Sequence, residues 1–173
     1  MLDRARRAAG DASRTTVPEE IFDADDVDAV IVATPASTHF DLVRGALEHG
    51  KDVLCEKPLA MDAEKCRQLV DLAEEARRTL FVGHTFIYNP AIRAARRLVR
   101  ANQLGRPLHI HAVWAAPGPI RHDVNALWDL APHPVSILID LLGARPLVAG
   151  VELRDVHVDD VATAVQRVTA SVG

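Results

Sequence analysis

The side chains best suited to chemistry follow the short strand-like segment KDVLC at 51–55. Glu56 and Lys57 come directly after it, followed by Pro58. A lysine at the end of a buried strand is held on a rigid element and is partly desolvated, so it can exchange a proton or orient a substrate hydroxyl. The alternative interpretation is an exposed loop lysine with Glu56 as its surface ion-pair partner.

A second candidate is the pair Asp129 and His133, four positions apart. On a helix, residues at this spacing share one face. A carboxylate beside an imidazole fixes its tautomer and raises its basicity, which prepares a general base. The alternative is that Asp129 caps a helix and His133 is incidental. Pro132 and Pro134 flank the histidine and weaken the shared-face argument, because neither has an N–H for a helical hydrogen bond.

The first half of the chain alternates between strand-like and helix-like patterns. A short apolar, β-branched run at 27–33 is typical of a strand buried on both faces of a parallel sheet. The segments 51–55 and 79–82 read as a second and a third strand, and helical patterns lie between the strands. This alternation predicts an α/β fold with a doubly wound parallel sheet. The strand ends at Thr34–Pro35, Glu56–Lys57 and Gly83–His84 are then expected to line one cleft, because ligands bind at the carboxyl edge of such sheets.

The pattern changes after residue 84. Asn89 and Pro90 begin a predicted helix, a strand is expected over 108–114, and 125–142 reads as one helix. Two further strand-like runs, 148–153 and 162–168, have no crossover helix between them. The second half is therefore predicted to be α+β with an open, mostly antiparallel sheet, and the domains to span 1–86 and 87–173.

Composition excludes several classes of protein. The 173 residues are 49% hydrophobic and 25% charged with a net charge of −4, which provides no basic surface for nucleic acid. Apolar runs are too short for a membrane span, and the charged N-terminus is unlike a signal peptide, so a cytoplasmic protein is expected. His109 and His111 alternate as metal ligands sometimes do, but no third ligand has suitable spacing, and no metal is predicted.

Four segments carry a resemblance to a known family: DAVIVATP at 28–35 with His39, CEKPLA at 55–60, VGHTFIYNPA at 82–91, and DVNALWDLAPH at 123–133. They resemble the glucose–fructose oxidoreductase/inositol dehydrogenase family, also called Gfo/Idh/MocA. The similarity extends over essentially the whole chain. The last two segments are most similar to members that act on nucleotide sugars.

The resemblance implies an NAD- or NADP-dependent dehydrogenase of sugars or nucleotide sugars, with a Rossmann-like domain followed by an α/β domain whose open sheet forms homo-oligomer contacts. It implies that His133 is the acid/base of a DxxxH pair with Asp129, and that Lys57 lies near nicotinamide and substrate. The implied cofactor-binding residues are Thr34, Pro35, His39, Glu56 and Lys57. The implied substrate-binding residues are Lys57, Tyr88, Asn89, Asn125 and Trp128.

The chain also departs from the family pattern. No two of its nine glycines are two residues apart, so the dinucleotide fingerprint GxGxxG does not occur in it. We therefore expect an incomplete Rossmann-like sheet, a chain truncated at both ends, and weak or absent NAD(H) binding. Pro134 stands where many relatives carry a polar residue. The alternative to an enzyme is a non-catalytic module that pairs with a full-length relative. We also expect the Lys57–Pro58 peptide to be cis.

Overall fold

The computed structural model describes residues 12–117, 124–143, 147–158 and 161–171. The sequence over residues 1–9 is typical of the middle of a helix, and this segment lies outside these ranges. The helices are α1 (Pro18–Phe22), α2 (His39–Glu48), α3 (Ala63–Ala76), α4 (Pro90–Arg100), α5 (Ala126–Leu130) and α6 (Pro132–Leu142). The strands are β1 (Ala29–Val32), β2 (Asp52–Cys55), β3 (Leu80–Val82), β4 (His109–Pro117), β5 (Leu147–Val158) and β6 (Val161–Ser171). Two 3-10 turns cover Ala36–Thr38 and Thr85–Tyr88.

The first three strands form the predicted parallel sheet, in the order β1-β2-β3. Helices α2 and α3 pack on one face, because strand order that advances in one direction places right-handed crossovers on the same side. Each fully buried valine or leucine in this interface stabilises the fold by roughly 1.5–3 kcal/mol. The core consists of the buried side chains Phe22, Val32, Val43, Ala46, Leu47, Val53, Cys55, Leu59, Leu69 and Ala73.

The opposite face of this sheet corrects the expectation that the first strand is buried on both faces. Ile31, Leu54 and Phe81 are adjacent across the sheet, and Ile31 is 71% exposed. In the described part of the chain both crossover helices lie on the other side, so these apolar side chains face outward. The sequence is apolar on both faces, and the described helices cover one of them.

Two helices begin at side-chain caps, Asp62 for α3 and Asn89 for α4, and Asn89 is the helix start that the sequence predicts. The Asp62 carboxylate accepts hydrogen bonds from Glu64 N at 2.7 Å and Lys65 N at 3.2 Å, and Asn89 accepts from Ala91 N at 2.9 Å. The single helix predicted over 125–142 is wrong. The structure has two helices, because Pro132 has no N–H to continue the α5 ladder and instead begins α6.

The second sheet has the order β4-β6-β5, with both pairs antiparallel. Helix α6 packs against it through Leu138 and Ile110. Helix α6 also contacts α4, because the Arg96 guanidinium of α4 donates a hydrogen bond to Asp140 Oδ1 of α6 at 2.8 Å. These contacts hold α6, the helix that carries His133 in its first turn, against the second sheet and α4. Among the described residues, no helix is both long and apolar enough to cross a membrane.

Candidate active site

Lys57 and Asp129 form the central contact of the site. Lys57 follows β2, and its Nζ donates to the Asp129 carbonyl at 2.8 Å and to Asp129 Oδ1 at 3.0 Å. The two residues are 72 positions apart, and their side chains are 15% and 25% exposed. The interpretation of Lys57 as an exposed lysine paired with Glu56 is therefore wrong. The Lys57 ammonium instead forms an ion pair with a carboxylate from the second half of the chain.

His133 lies in the first turn of α6, between two aromatic rings. The Phe86 ring meets it edge-to-face at 4.7 Å between centroids, and Trp114 stacks on it at 5.5 Å with planes 28° apart. Its Nδ1 is buried and has no hydrogen-bond partner. The ring is thus packed by the 3-10 turn at Thr85–Tyr88 and by β4, from the two halves of the chain.

The electrostatics of His133 differ from the prediction. Burial lowers the pKa of this imidazole from its ordinary value of 6.5, and the neighbouring Lys57 ammonium lowers the pKa further. Asp129 acts in the opposite direction but does not outweigh them. The expectation that Asp129 raises the basicity of His133 is therefore wrong for the net effect. Nor do the two residues share one helix, since Asp129 is in α5 and His133 in α6.

His84, which the sequence analysis placed at one of the strand ends expected to line the cleft, is a residue of this site. It follows β3 at the carboxyl edge of the sheet, and its Nδ1 is also buried without a hydrogen-bond partner. Burial lowers the pKa of His84, and its charge in turn lowers the pKa of His133. Its position after the end of β3 is the sequence feature that indicates a place in the cleft. The site therefore holds two imidazoles that favour the neutral state.

The predicted cofactor residues after β1, Thr34, Pro35 and His39, take part in local hydrogen bonds. Thr38 Oγ1 donates to the Pro35 carbonyl at 2.8 Å, so Thr34 Oγ1 must be the donor in its 2.7 Å contact with Thr38 Oγ1. His39 is 1% exposed, and both its ring nitrogens contact carbonyl oxygens, those of Pro58 at 2.7 Å and Thr34 at 2.9 Å. No ring nitrogen of His39 is left for a ligand, so any contribution to a cofactor site is made by shaping these loops.

Glu56 lies between the ends of β2 and β3. Its backbone N–H donates to the Val32 carbonyl at 2.9 Å, and its carboxylate lies against Gly83, where an added Cβ would stand 3.2 Å from Glu56 Oε2. A side chain at position 83 would displace this carboxylate. The Lys57–Pro58 peptide that follows is cis, as the sequence analysis expected.

The predicted substrate residues are distributed around the same region. The side-chain oxygens of Asn89 and Asn125 cap α4 and α5, accepting from Ala91 N at 2.9 Å and Trp128 N at 3.0 Å respectively. Tyr88 is exposed and its ring lies 6.1 Å from that of Phe81. Trp128 is half-buried in α5, beside Asp129. The structure gives the two asparagines a capping role, and their contact with substrate stays a prediction.

The described residues contain no group of three or more His, Cys, Asp or Glu side chains that could hold a metal ion. Burial and the charge of Glu56 raise the pKa of the Cys55 thiol to about 12, so it is not a reactive nucleophile. The residues present instead fit the reactive end of a nicotinamide cofactor. Lys57, Glu56 and Thr34 lie at the strand ends. Nearby, the Nδ1 atoms of His84 and His133 are buried without a hydrogen-bond partner.

The site thus brings the Lys57 amine, at the carboxyl edge of the parallel sheet, together with Asp129 and with His133, whose imidazole favours the neutral state. Residues 3–84 match the family model described as an oxidoreductase family with an NAD-binding Rossmann fold, and residues 92–172 match the Gfo/Idh/MocA C-terminal domain. The chain belongs to the Gfo/Idh/MocA family of oxidoreductases.

Relatives of this chain are named dehydrogenases. It is 38% identical over 146 residues to inositol 2-dehydrogenase 3 of Saccharopolyspora erythraea, a match that covers 81% of this chain and 43% of the relative. It is 34% identical over 123 residues to UDP-N-acetylglucosamine 3-dehydrogenase of Acidithiobacillus ferrooxidans, covering 70% of this chain and 38% of the relative. The chain thus spans less than half the length of these curated relatives.

A solved structure of GenD2 from gentamicin A biosynthesis, in complex with NAD, superimposes with a TM-score of 0.78 at 30% identity. The match covers 95% of this chain and 50% of GenD2. Both halves of the described fold are therefore found together in a protein that binds NAD.

Proposed function

We propose that this chain carries the substrate side of an NAD- or NADP-dependent dehydrogenase that oxidises a hydroxyl group of a sugar, cyclitol or nucleotide sugar. The observation that supports this most strongly is the 3.0 Å contact between Lys57 Nζ and Asp129 Oδ1. It brings a strand-end amine of the first half beside the helix pair that carries His133. The names of the relatives support the substrate class.

In the proposed reaction, His133 is the general base. Because burial and the Lys57 charge lower its pKa, its imidazole is neutral at pH 7 and can accept the proton of the substrate hydroxyl. The Lys57 ammonium donates to the same hydroxyl oxygen and stabilises the negative charge that develops there. Asp129 holds Lys57 in place. When bound, the nicotinamide cofactor accepts the hydride from the hydroxyl-bearing carbon.

Substitution of either proposed catalytic residue tests this function. In a full-chain assay of NAD⁺ and NADP⁺ reduction with inositol and UDP-sugars, we expect Lys57→Met and His133→Asn each to lower kcat about 100-fold or more. Lys65→Met and His109→Asn are matched controls, since both side chains are exposed and outside the site. Activity that survives in both Lys57→Met and His133→Asn would contradict the proposal.

A non-catalytic interaction module is the second candidate. The exposed apolar face formed by Ile31, Leu54 and Phe81 favours it, because such faces promote association with another protein. Co-purification with a full-length relative, together with no effect of Lys57→Met on the activity of the complex, would favour this alternative.

We further propose that the open sheet β4-β6-β5 joins copies of the chain into a homo-oligomer and that the protein is cytoplasmic.

A further inference from the structure

The imidazole of His133 lacks the hydrogen bond that usually orients a catalytic histidine. In such residues the ring nitrogen that faces away from the substrate bonds to a carboxylate or a backbone carbonyl, and this bond sets the orientation of the ring. In the described part of the chain the Nδ1 of His133 is buried and has no hydrogen-bond partner. The carboxylate of Asp129 accepts from the Lys57 ammonium at 3.0 Å. The orientation of the His133 ring must therefore come from packing.

Two aromatic rings provide that packing. The Trp114 indole stacks on the imidazole, with centroids 5.5 Å apart and planes 28° apart. The Phe86 ring lies 4.7 Å from each of these two rings and is nearly perpendicular to both, at 88° to Trp114 and 74° to His133. Rotation of the imidazole about its Cβ–Cγ bond would press it against one ring or the other. The two aromatic side chains therefore fix the plane of the imidazole without a hydrogen bond.

The stacked indole also acts on the charge of His133. The face of an aromatic ring is the negative part of its quadrupole, so it attracts a cation within about 6 Å of its centroid, and tryptophan does so most strongly. A neutral imidazole gains little from this attraction, whereas the imidazolium that forms when the ring accepts a proton gains all of it. Because the imidazole is half-buried, water contributes less to stabilising that cation, and the indole face replaces part of the lost hydration.

Four other side chains act on the same charge. Lys57 and His84 disfavour the imidazolium, and Asp129 and Glu56 favour it. Both carboxylates are engaged by Lys57, since Asp129 accepts from its Nζ and Glu56 Oε2 accepts from its backbone N–H at 3.3 Å. Neither carboxylate is hydrogen-bonded to the buried Nδ1 of His133. Trp114 is thus the group whose ring stacks on the imidazole.

We propose that Trp114 is a positioning residue for His133: its stacked indole holds the plane of the imidazole and stabilises the positive charge that this ring gains when it accepts the proton of the substrate hydroxyl. The inference rests on the proposed function, because it concerns the step in which His133 is the general base. It assigns Trp114 no contact with substrate or cofactor.

Fluorination of Trp114 tests the charge effect while leaving the packing in place. Each fluorine withdraws electron density from the indole face and weakens its attraction for a cation, whereas the size of the ring hardly changes. We incorporate mono-, di-, tri- and tetrafluorotryptophan at position 114 of the full chain and follow His133 by ¹³C–¹H NMR titration of its ring. We expect the pKa of His133 to fall step by step as fluorines are added, because the imidazolium loses stabilisation.

The same fluorotryptophan series at Trp128 is the matched control. Trp128 is the other of the two tryptophans in the chain, and in the part that the structure describes its ring has no contact with that of His133. Fluorines at position 128 should leave the pKa of His133 as in the unmodified chain. A role of Trp114 in packing alone would likewise leave this pKa unchanged in both series.

Kinetics test whether the stacked indole contributes to the reaction. In the assay of NAD⁺ and NADP⁺ reduction, we expect kcat to fall about fivefold from the unmodified chain to the chain with tetrafluorotryptophan at position 114, with KM changed less than twofold. The attraction is greater for the charged ring than for the neutral one, so its loss affects kcat more than substrate binding. Trp114→Leu, which removes the indole face altogether, should lower kcat at least tenfold.

The outcomes separate this inference from the proposed function. If the unmodified chain reduces neither NAD⁺ nor NADP⁺, the proposed function fails, while the NMR titration still decides whether the indole stabilises the imidazolium. A His133 pKa that does not respond to fluorines at position 114, or that falls equally with fluorines at position 128, would overturn the inference. An active chain whose kcat is constant across the Trp114 series would also overturn it.

Discussion

At the residue scale, the sequence identified the catalytic candidates but not their electrostatics. Lys57, Asp129 and His133 were found from position and spacing, and the structure places Lys57 against Asp129. The net pKa shift of His133 depends on Lys57, His84 and two aromatic rings that are far away in the sequence. Spacing shows only the Asp129 neighbour, so the direction of the shift could not be predicted from it.

The lowered pKa values of His84 and His133 predict how stability depends on pH. Each group binds its proton more weakly in the folded chain than in the unfolded chain, whose pKa is the ordinary 6.5. Acid therefore favours unfolding, and the free energy of unfolding should fall as pH decreases from about 7 through 6.5 and on through the folded-state pKa values. Urea denaturation at several pH values measures this.

His133→Asn should make that pH dependence shallower, because a group that gains a proton on unfolding is removed. His109→Asn, which alters an exposed histidine, should leave the slope as it is. A slope that is the same in His133→Asn and the unmodified chain would show that the His133 pKa is not lowered by folding.

At the element scale, signals contained within a few residues were predictable. The parallel strand–helix units, the Asp62 and Asn89 caps and the glycine at position 50, with φ 70°, follow from local rules. The prediction of one helix over 125–142 was wrong because the helical spacing of apolar residues continues through Pro132. Pro132 has no N–H to extend the first helix, so a second helix begins there. The outward face of β1, β2 and β3 was missed because an apolar pattern does not say which face is covered.

The Asp62 cap offers a test of this local reasoning. Asp62→Ala removes the acceptor for the N–H groups of Glu64 and Lys65 at the start of α3, and we expect it to reduce the free energy of unfolding by about 1 kcal/mol. Urea denaturation measures the change. Asp71→Ala on the exposed surface of the same helix is the control, and an equal effect of both variants would contradict the capping role.

At the scale of the whole molecule, the site exists because the two halves of the chain meet. Lys57 follows a strand of the parallel sheet, and Asp129 and His133 come from α5 and α6. Phe86 from the connecting turn and Trp114 from β4 pack around the imidazole. The resemblance to a family implied this convergence, whereas the residue pattern alone placed each group only within its own half. Long-range packing of this kind leaves no periodic signal in a sequence.

The pKa of His133, measured by ¹³C–¹H NMR titration of its ring, tests this convergence most directly. In Lys57→Met the pKa of His133 should rise, because a cation that disfavours the imidazolium is removed, while in Lys65→Met it should stay as in the unmodified chain. An unchanged His133 pKa in Lys57→Met would mean that the lysine and the histidine do not share a site, and the dehydrogenase proposal would lose its basis.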